Sequence, residues 1–232
     1  MKHEYLDDYR LITGIIGLAA ALLTGAGEFL LHFDPQGRFA DGLAFFEGIS
    51  EQRTNWGHFL GVFGAPLYAV GAFHIFLMLR PANARWAFIL FVVMAYGCAM
   101  GGIWIGSRAS ISAIVNAPQY AGLGNLVALY DLRYESLLNV ARVAIMLVSG
   151  IFVWLAATGR SFYPRWMAFF NPIILLLFSF AVWLVVPAIG IYMMPIALNI
   201  GFGIFFCLSL LVLQRSEKTE NSEHSGANLW AK

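Results

Sequence analysis

Three ionisable side chains lie in apolar surroundings near the start of this sequence. Glu28 and His32 are four residues apart in the first long apolar stretch, and His58 opens the second. Residues four apart share one face of a helix. An acid or base inside a membrane span costs at least about 2.5 kcal/mol near the bilayer centre, so such a residue indicates a functional site. We therefore expect a site where these two stretches meet.

Two kinds of chemistry fit this set. A carboxylate and two imidazoles can supply the three protein ligands of a catalytic zinc and leave one position for water. A bound zinc would generate hydroxide near neutral pH. The sequence thus nominates Glu28, His32 and His58 as ligands of a divalent metal such as zinc. In the metal-free alternative, Glu28 or His58 acts as a general base.

Arginines and their neighbours form a second group. Glu135, Asn139 and Arg142 recur at spacings of four and three residues, which places them on one helix face. Arg142 lies about 9 Å into its predicted span, a depth comparable to that of Glu28, so we expect the two to pair. That pair either belongs to the site or only joins two helices. The residues predicted to act in catalysis are Glu28, His58 and Arg142, and those predicted to bind substrate are Arg108, Asp131, Glu135 and Asn139.

The elements that carry these residues are predicted to be membrane-spanning helices. Hydrophobic residues make up 60% of the chain and charged residues only 12%, and a span needs about 20 apolar residues. The sequence predicts an all-α bundle of six spans over 1–213 and a disordered tail over 214–232. The predicted spans are 11–33, 56–79, 86–106, 136–158, 166–186 and 193–213.

The distribution of basic residues predicts the orientation. Nine of the 14 Lys and Arg residues lie on the side of the N-terminus and five on the other, which places both termini in the cytoplasm. The net charge of +1 gives no sign of a nucleic-acid partner. Cys98 and Cys207 both lie in predicted spans and suggest neither a disulfide nor a metal site. We expect a multi-pass membrane protein with lipids as its surroundings.

Some of these residues form a recognisable pattern. Gly27-Glu28 is followed by Leu30 and Leu31, then by a polar loop and Trp56, and then by Gly64-x-Pro66-Leu67-Tyr68-x-x-Gly71. This pattern resembles a family of six-span bacterial membrane proteins known only as a domain of unknown function, in which the acid after the glycine is often Asp. The resemblance implies the fold and a location in the bacterial inner membrane, and it implies no activity.

Three functions are compatible with the sequence. The first is a membrane-embedded enzyme that acts on a lipid or small amphiphile, with Arg108 and Arg142 holding an anionic group. The second is a transporter or channel for a small solute or proton, with Glu28 as a titrating gate. The third is a structural or accessory subunit in which the polar residues only hold helices together.

Overall fold

The computed structural model describes the backbone of residues 2–39, 42–118 and 120–229, and the side chains of residues 8–39, 42–118 and 122–215. The described backbone consists of helices joined by turns and short loops, without strands, as the sequence predicts. The α-helices are α1 (Lys2–His32), α2 (Glu51–Gly64), α3 (Leu67–Leu79), α4 (Ala84–Val115), α5 (Tyr120–Ala157), α6 (Pro172–Val185), α7 (Pro187–Met193) and α8 (Ala197–Leu229). Three 3-10 segments complete the described structure: Ala44–Phe46, Arg165–Phe170 and Met194–Ile196.

Five helical segments in the described part of the chain are long and apolar enough to cross a membrane. They are Asp8–His32, Glu51–Leu79, Ala84–Val115, Gly122–Ala157 and Pro187–Arg215. The remaining predicted span, 166–186, corresponds to the shorter apolar helix α6, which has 14 residues. The α8 backbone is helical to Leu229, whereas the side chains from 216 onward lie outside the described residues, so the disorder of 214–232 stays a prediction.

A proline divides the second segment into α2 and α3. Pro66 has no backbone N–H, and its ring clashes with the preceding turn of a helix. The helix ends at Gly64 and begins again at Leu67, so the interruption lies at Pro66.

Glycines allow α1 and α2 to approach closely. A Cβ atom on Gly27 would lie 2.7 Å from the carbonyl oxygen of Gly57 and 2.8 Å from the Cα of Gly61. The backbones of the two helices are therefore in direct contact, as in small-residue helix crossings in membranes. This crossing fixes the rotation of α1, and it directs Glu28, the next residue, away from α2.

Helices α4 and α5 form a hairpin that extends beyond the predicted spans. The segment 109–135, expected to be an apolar outer connection, is almost entirely helical. The loop after α1 packs against this extension. Phe46 and Ile49 of the loop form one hydrophobic cluster with Ile111 of α4. The side chain of Asn116 fastens the loop, because its Nδ2 donates to the Phe46 carbonyl at 2.9 Å and its Oδ1 accepts from the Gly48 N–H at 2.8 Å.

The same loop is held together by Asp34. Its carboxylate accepts hydrogen bonds from the backbone N–H groups of Gln36 and Arg38 and from Nε of Arg38 at 2.8 Å. Burial alone would raise the pKa of Asp34, but these bonds hold the pKa below its usual range. Arg38 also reaches Glu47 at 2.9 Å. The loop therefore has a defined conformation over the outer end of the bundle.

A buried hydrogen-bond chain joins helices at the other end. Nδ1 of His74 is 2.8 Å from the carbonyl oxygen of Arg10, so Nδ1 is the donor and Nε2 must accept. Nε2 then accepts from the Ser209 hydroxyl at 2.6 Å, which leaves Tyr163 to donate to Ser209 at 2.9 Å. All three side chains are buried. We interpret this chain as a link between α1, α3 and α8.

Candidate functional site

An apolar cavity of about 100 Å³ lies inside the bundle, between α1, α3, α4, α5 and α8. The cavity exists because several residues that line it on α4 and α5 have small side chains, among them Gly101 and Ala141. A Cβ atom on Gly101 would meet nothing within 4 Å. We call this space the inner cavity. Its wall is largely hydrocarbon, which suits the apolar part of a ligand.

Three polar side chains of the inner cavity, those of Glu28, Asn199 and Tyr68, form one hydrogen-bond chain. The carboxylate of Glu28 accepts a hydrogen bond from the side-chain amide of Asn199, and the amide oxygen of Asn199 accepts from the Tyr68 hydroxyl at 2.7 Å. The hydroxyl oxygen of Thr24, one turn before Glu28, is buried without a hydrogen-bond partner. The cavity thus offers one carboxyl group and one hydroxyl group to a ligand.

A second and more polar space lies at the outer end of the bundle. It has a volume of about 470 Å³ and is bordered by the loop after α1, by α4 and by α5. We call it the vestibule. Nη1 of Arg108, a buried side chain, lies 3.4 Å from Asp131 and 3.6 Å from Glu135. Nε1 of Trp104 donates to Glu135 at 3.1 Å.

Aromatic rings hold the base of the vestibule. The His32 ring stacks on Trp104 with 5.4 Å between centroids. The guanidinium of Arg108 lies 5.0 Å from the Trp104 ring and 5.1 Å from the Phe46 ring, within the range of cation–π attraction. These rings hold the imidazole and the guanidinium in fixed positions, and the adjoining acids stay nearer the solvent.

Arg142 lies at the rim of the vestibule. It is exposed, it donates to Asn139 at 2.7 Å, and it lies 3.9 Å from Glu135. The structure therefore brings five residues of the predicted site to one place. They are Arg108, Asp131, Glu135, Asn139 and Arg142.

The inner cavity and the vestibule are neighbours. Trp104 and Leu138 line both spaces. A molecule with a polar end and an apolar end would therefore find a matching environment on each side of these two side chains.

The expected metal site is not assembled. Among the residues that the structure describes, no three His, Cys, Asp or Glu side chains are close enough to hold one metal ion. Glu28 lines the inner cavity, His32 lines the vestibule, and His58 lines a separate groove between α2 and α4. The close crossing at Gly27 turns Glu28 away from α2, where His58 is located.

The expected pair of Glu28 and Arg142 is not observed either. Glu28 bonds to Asn199, and Arg142 bonds to Asn139. Equal depth of Glu28 and Arg142 in the membrane does not suffice to predict a contact, because the contact also depends on how each helix is rotated about its axis. The sequence did contain a signal for the true partner, since Asn199 is the one strongly polar side chain deep in the last apolar stretch.

The comparison with family models gives one result. The model of a family of unknown function, DUF6796, matches residues 1–216. No curated protein and no solved structure matches the chain. The expected resemblance to an uncharacterised domain family is confirmed, and the chain belongs to the family of unknown function DUF6796.

Proposed function

We propose that the protein is a six-span protein of the bacterial inner membrane with both termini in the cytoplasm. Support for six spans comes from α6, whose 14 residues cover about 21 Å. The preceding 3-10 segment of six residues adds about 12 Å. Together they match the hydrocarbon thickness of about 30 Å. The excess of Lys and Arg on the N-terminal side supports the orientation.

We infer that the protein is a membrane-embedded enzyme that acts on a lipid or small amphiphile. The observation that supports this most strongly is that Trp104 and Leu138 line both the vestibule and the inner cavity. The charged groups of the vestibule suit a polar headgroup, and the inner cavity suits the apolar part that follows it.

Glu28 is the residue that we propose for acid/base catalysis. Its carboxyl group lines the inner cavity, and Asn199 and Tyr68 fix its orientation. His58 lines a different groove and therefore has no place in this proposal. The reaction class that fits is one in which a proton is taken from, or given to, a ligand atom just below the headgroup.

The test is replacement of Glu28 by glutamine. Glu28→Gln retains the shape and the hydrogen bonding of the side chain but cannot transfer the proton. We expect turnover to fall by about 10² to 10⁴, while the melting temperature stays close to that of the wild type. Purified protein in nanodiscs made from bacterial lipid extract would be incubated, and the lipid products compared by mass spectrometry.

Glu51→Gln is the matched control, because Glu51 is an exposed acid at the start of α2. Its turnover should equal that of the wild type. Wild-type turnover in Glu28→Gln would contradict the catalytic role of Glu28.

A transporter for a small solute or proton is the second candidate. One observation favours it: in the described part of the chain, the Glu28 carboxyl accepts its hydrogen bond from a neutral amide, that of Asn199. A carboxyl group in an apolar cavity is stable as the neutral acid or beside a cation. Liposome flux that depends on Glu28, without a chemical change in the solute, would favour this function over an enzyme.

A structural or accessory role is the third candidate. The chain of Glu28, Asn199 and Tyr68 joins α1, α8 and α3. If holding these helices together is its whole role, Glu28→Ala, which removes the hydrogen-bond acceptor, lowers the melting temperature, and neither Glu28→Ala nor Glu28→Gln changes turnover or flux.

A further inference from the structure

Two buried polar atoms of the vestibule have no hydrogen-bond partner. They are Nε of Arg108 and Nε2 of His32. Arg108 is only 3% exposed and His32 only 7%, so bulk water does not satisfy these atoms. Leaving a buried polar atom unpaired carries a cost in stability. Such a cost at the wall of a cavity indicates a ligand that would bond to these groups.

Nε of Arg108 and Nε2 of His32 differ in the hydrogen-bond partners that they require. Nε of Arg108 is a donor with a positive charge and requires an acceptor, preferably an anion. In a neutral imidazole one nitrogen donates and the other accepts. Nε2 of His32 therefore needs either an acceptor or a donor, and a hydroxyl group can serve as either.

Both groups contact the same rings, so one ligand can reach both. His32 and Arg108 each lie against Trp104, with 5.4 Å and 5.0 Å to the ring centre. Both also lie against Phe46, at 5.8 Å and 5.1 Å. His32 and Arg108 also line the same space, so the anion and a hydroxyl group of one headgroup in the vestibule can contact both residues.

The charges around Arg108 restrict the anion. Asp131 and Glu135 lie within 3.6 Å of its Nη1, and the exposed Arg142 adds one positive charge at the rim. The two acids offset the charge of the two arginines, so the vestibule has no net positive charge with which to balance the second negative charge of a phosphate monoester, and a singly charged diester fits better.

We propose that the vestibule binds the headgroup of a phosphodiester amphiphile that carries a free hydroxyl group. The phosphate accepts from Arg108, and the hydroxyl forms a hydrogen bond with Nε2 of His32. This inference rests on the proposed function, since it names the amphiphile whose apolar part occupies the inner cavity.

The test compares two lipids that differ in the hydroxyl alone. Phosphatidylglycerol and phosphatidylmethanol are both singly charged phosphodiesters, and only the first has headgroup hydroxyls. Binding to the purified full-length protein in a neutral detergent would be measured by microscale thermophoresis. We expect the wild type to prefer phosphatidylglycerol by about fivefold or more, from the hydrogen bond to His32.

Variants assign the preference to individual side chains. His32→Phe keeps an aromatic ring on Trp104 but removes the ring nitrogen that bonds to the hydroxyl, so it should bind both lipids equally. Arg108→Gln should weaken both. His58→Phe, a change of the same kind in a separate groove, should keep the preference of the wild type, and its loss there would count against a specific role for His32.

The possible outcomes separate the inference from the proposed function. Equal binding of both lipids by the wild type overturns the hydroxyl contact and leaves the amphiphile site in place. Binding of neither lipid overturns both. Glycerophosphoglycerol is the same headgroup without acyl chains. If glycerophosphoglycerol competes as well as the lipid, the headgroup contact is supported and the requirement for acyl chains is contradicted. If it competes weakly, the headgroup contact and the requirement for acyl chains are both supported.

Discussion

Replacement of Gly101 by leucine is expected to weaken binding of a long-chain amphiphile by roughly thirtyfold. A Cβ atom on Gly101 meets nothing within 4 Å, and the residue lines the inner cavity of about 100 Å³. A leucine side chain would therefore occupy space that we assign to the ligand. Excluding two or three methylene groups costs about 2 kcal/mol at ~0.8 kcal/mol each. Titration of purified Gly101→Leu with phosphatidylglycerol of natural chain length measures this loss.

Gly150→Leu is the matched control. A Cβ atom on Gly150 also meets nothing within 4 Å, but this residue is exposed on α5 and does not line the inner cavity. Its affinity should equal that of the wild type. Equal affinities in all three proteins would show that the apolar part of the ligand lies elsewhere.

The second large effect concerns the crossing of α1 and α2. Gly27→Ala places a Cβ atom within 2.7 Å of the Gly57 carbonyl oxygen and 2.8 Å of the Gly61 Cα. These are backbone atoms and cannot move aside as a flexible side chain does, so the helices must separate. Overpacking of this kind costs about 1–3 kcal/mol, and we expect the upper part of that range. Thermal unfolding in a single detergent, monitored by circular dichroism, measures the change.

Gly150→Ala is the control for that measurement, since it adds the same methyl group at an open position on α5. Its melting temperature should equal that of the wild type or exceed it by a few degrees, because alanine stabilises a helix interior by about 0.5–1 kcal/mol relative to glycine. A melting temperature of Gly27→Ala as high as that of this control would contradict the close crossing.

Much of the fold follows from the sequence, for reasons that particular segments make clear. Apolar runs of about 20 residues can cross a membrane only as helices. Pro66 interrupts a helix, because it lacks a backbone N–H. The lengths of α4 and α5 were harder to predict. Their extension, 109–135, is stabilised by contacts with Phe46 and Ile49, and hydropathy along one chain segment does not reveal such contacts with a distant loop.

The site was predictable in part. Arg108, Asp131 and Glu135 lie together as expected, because they extend from two adjacent antiparallel helices at one end of the bundle. The position of His58 was not predictable, since it depends on how α2 is rotated against α1 at Gly27. The same rotation directs Glu28 to Asn199 on α8, a contact between residues separated by most of the chain.

The central claim is that the vestibule and the inner cavity form one binding site. A crystal structure of the protein grown in a lipidic mesophase with phosphatidylglycerol would test it most directly. We predict continuous ligand density from Arg108, past Trp104 and Leu138, to Tyr68. Well-ordered density for the lipid confined to the outer surface of the bundle, with both spaces filled only by water, would contradict the claim.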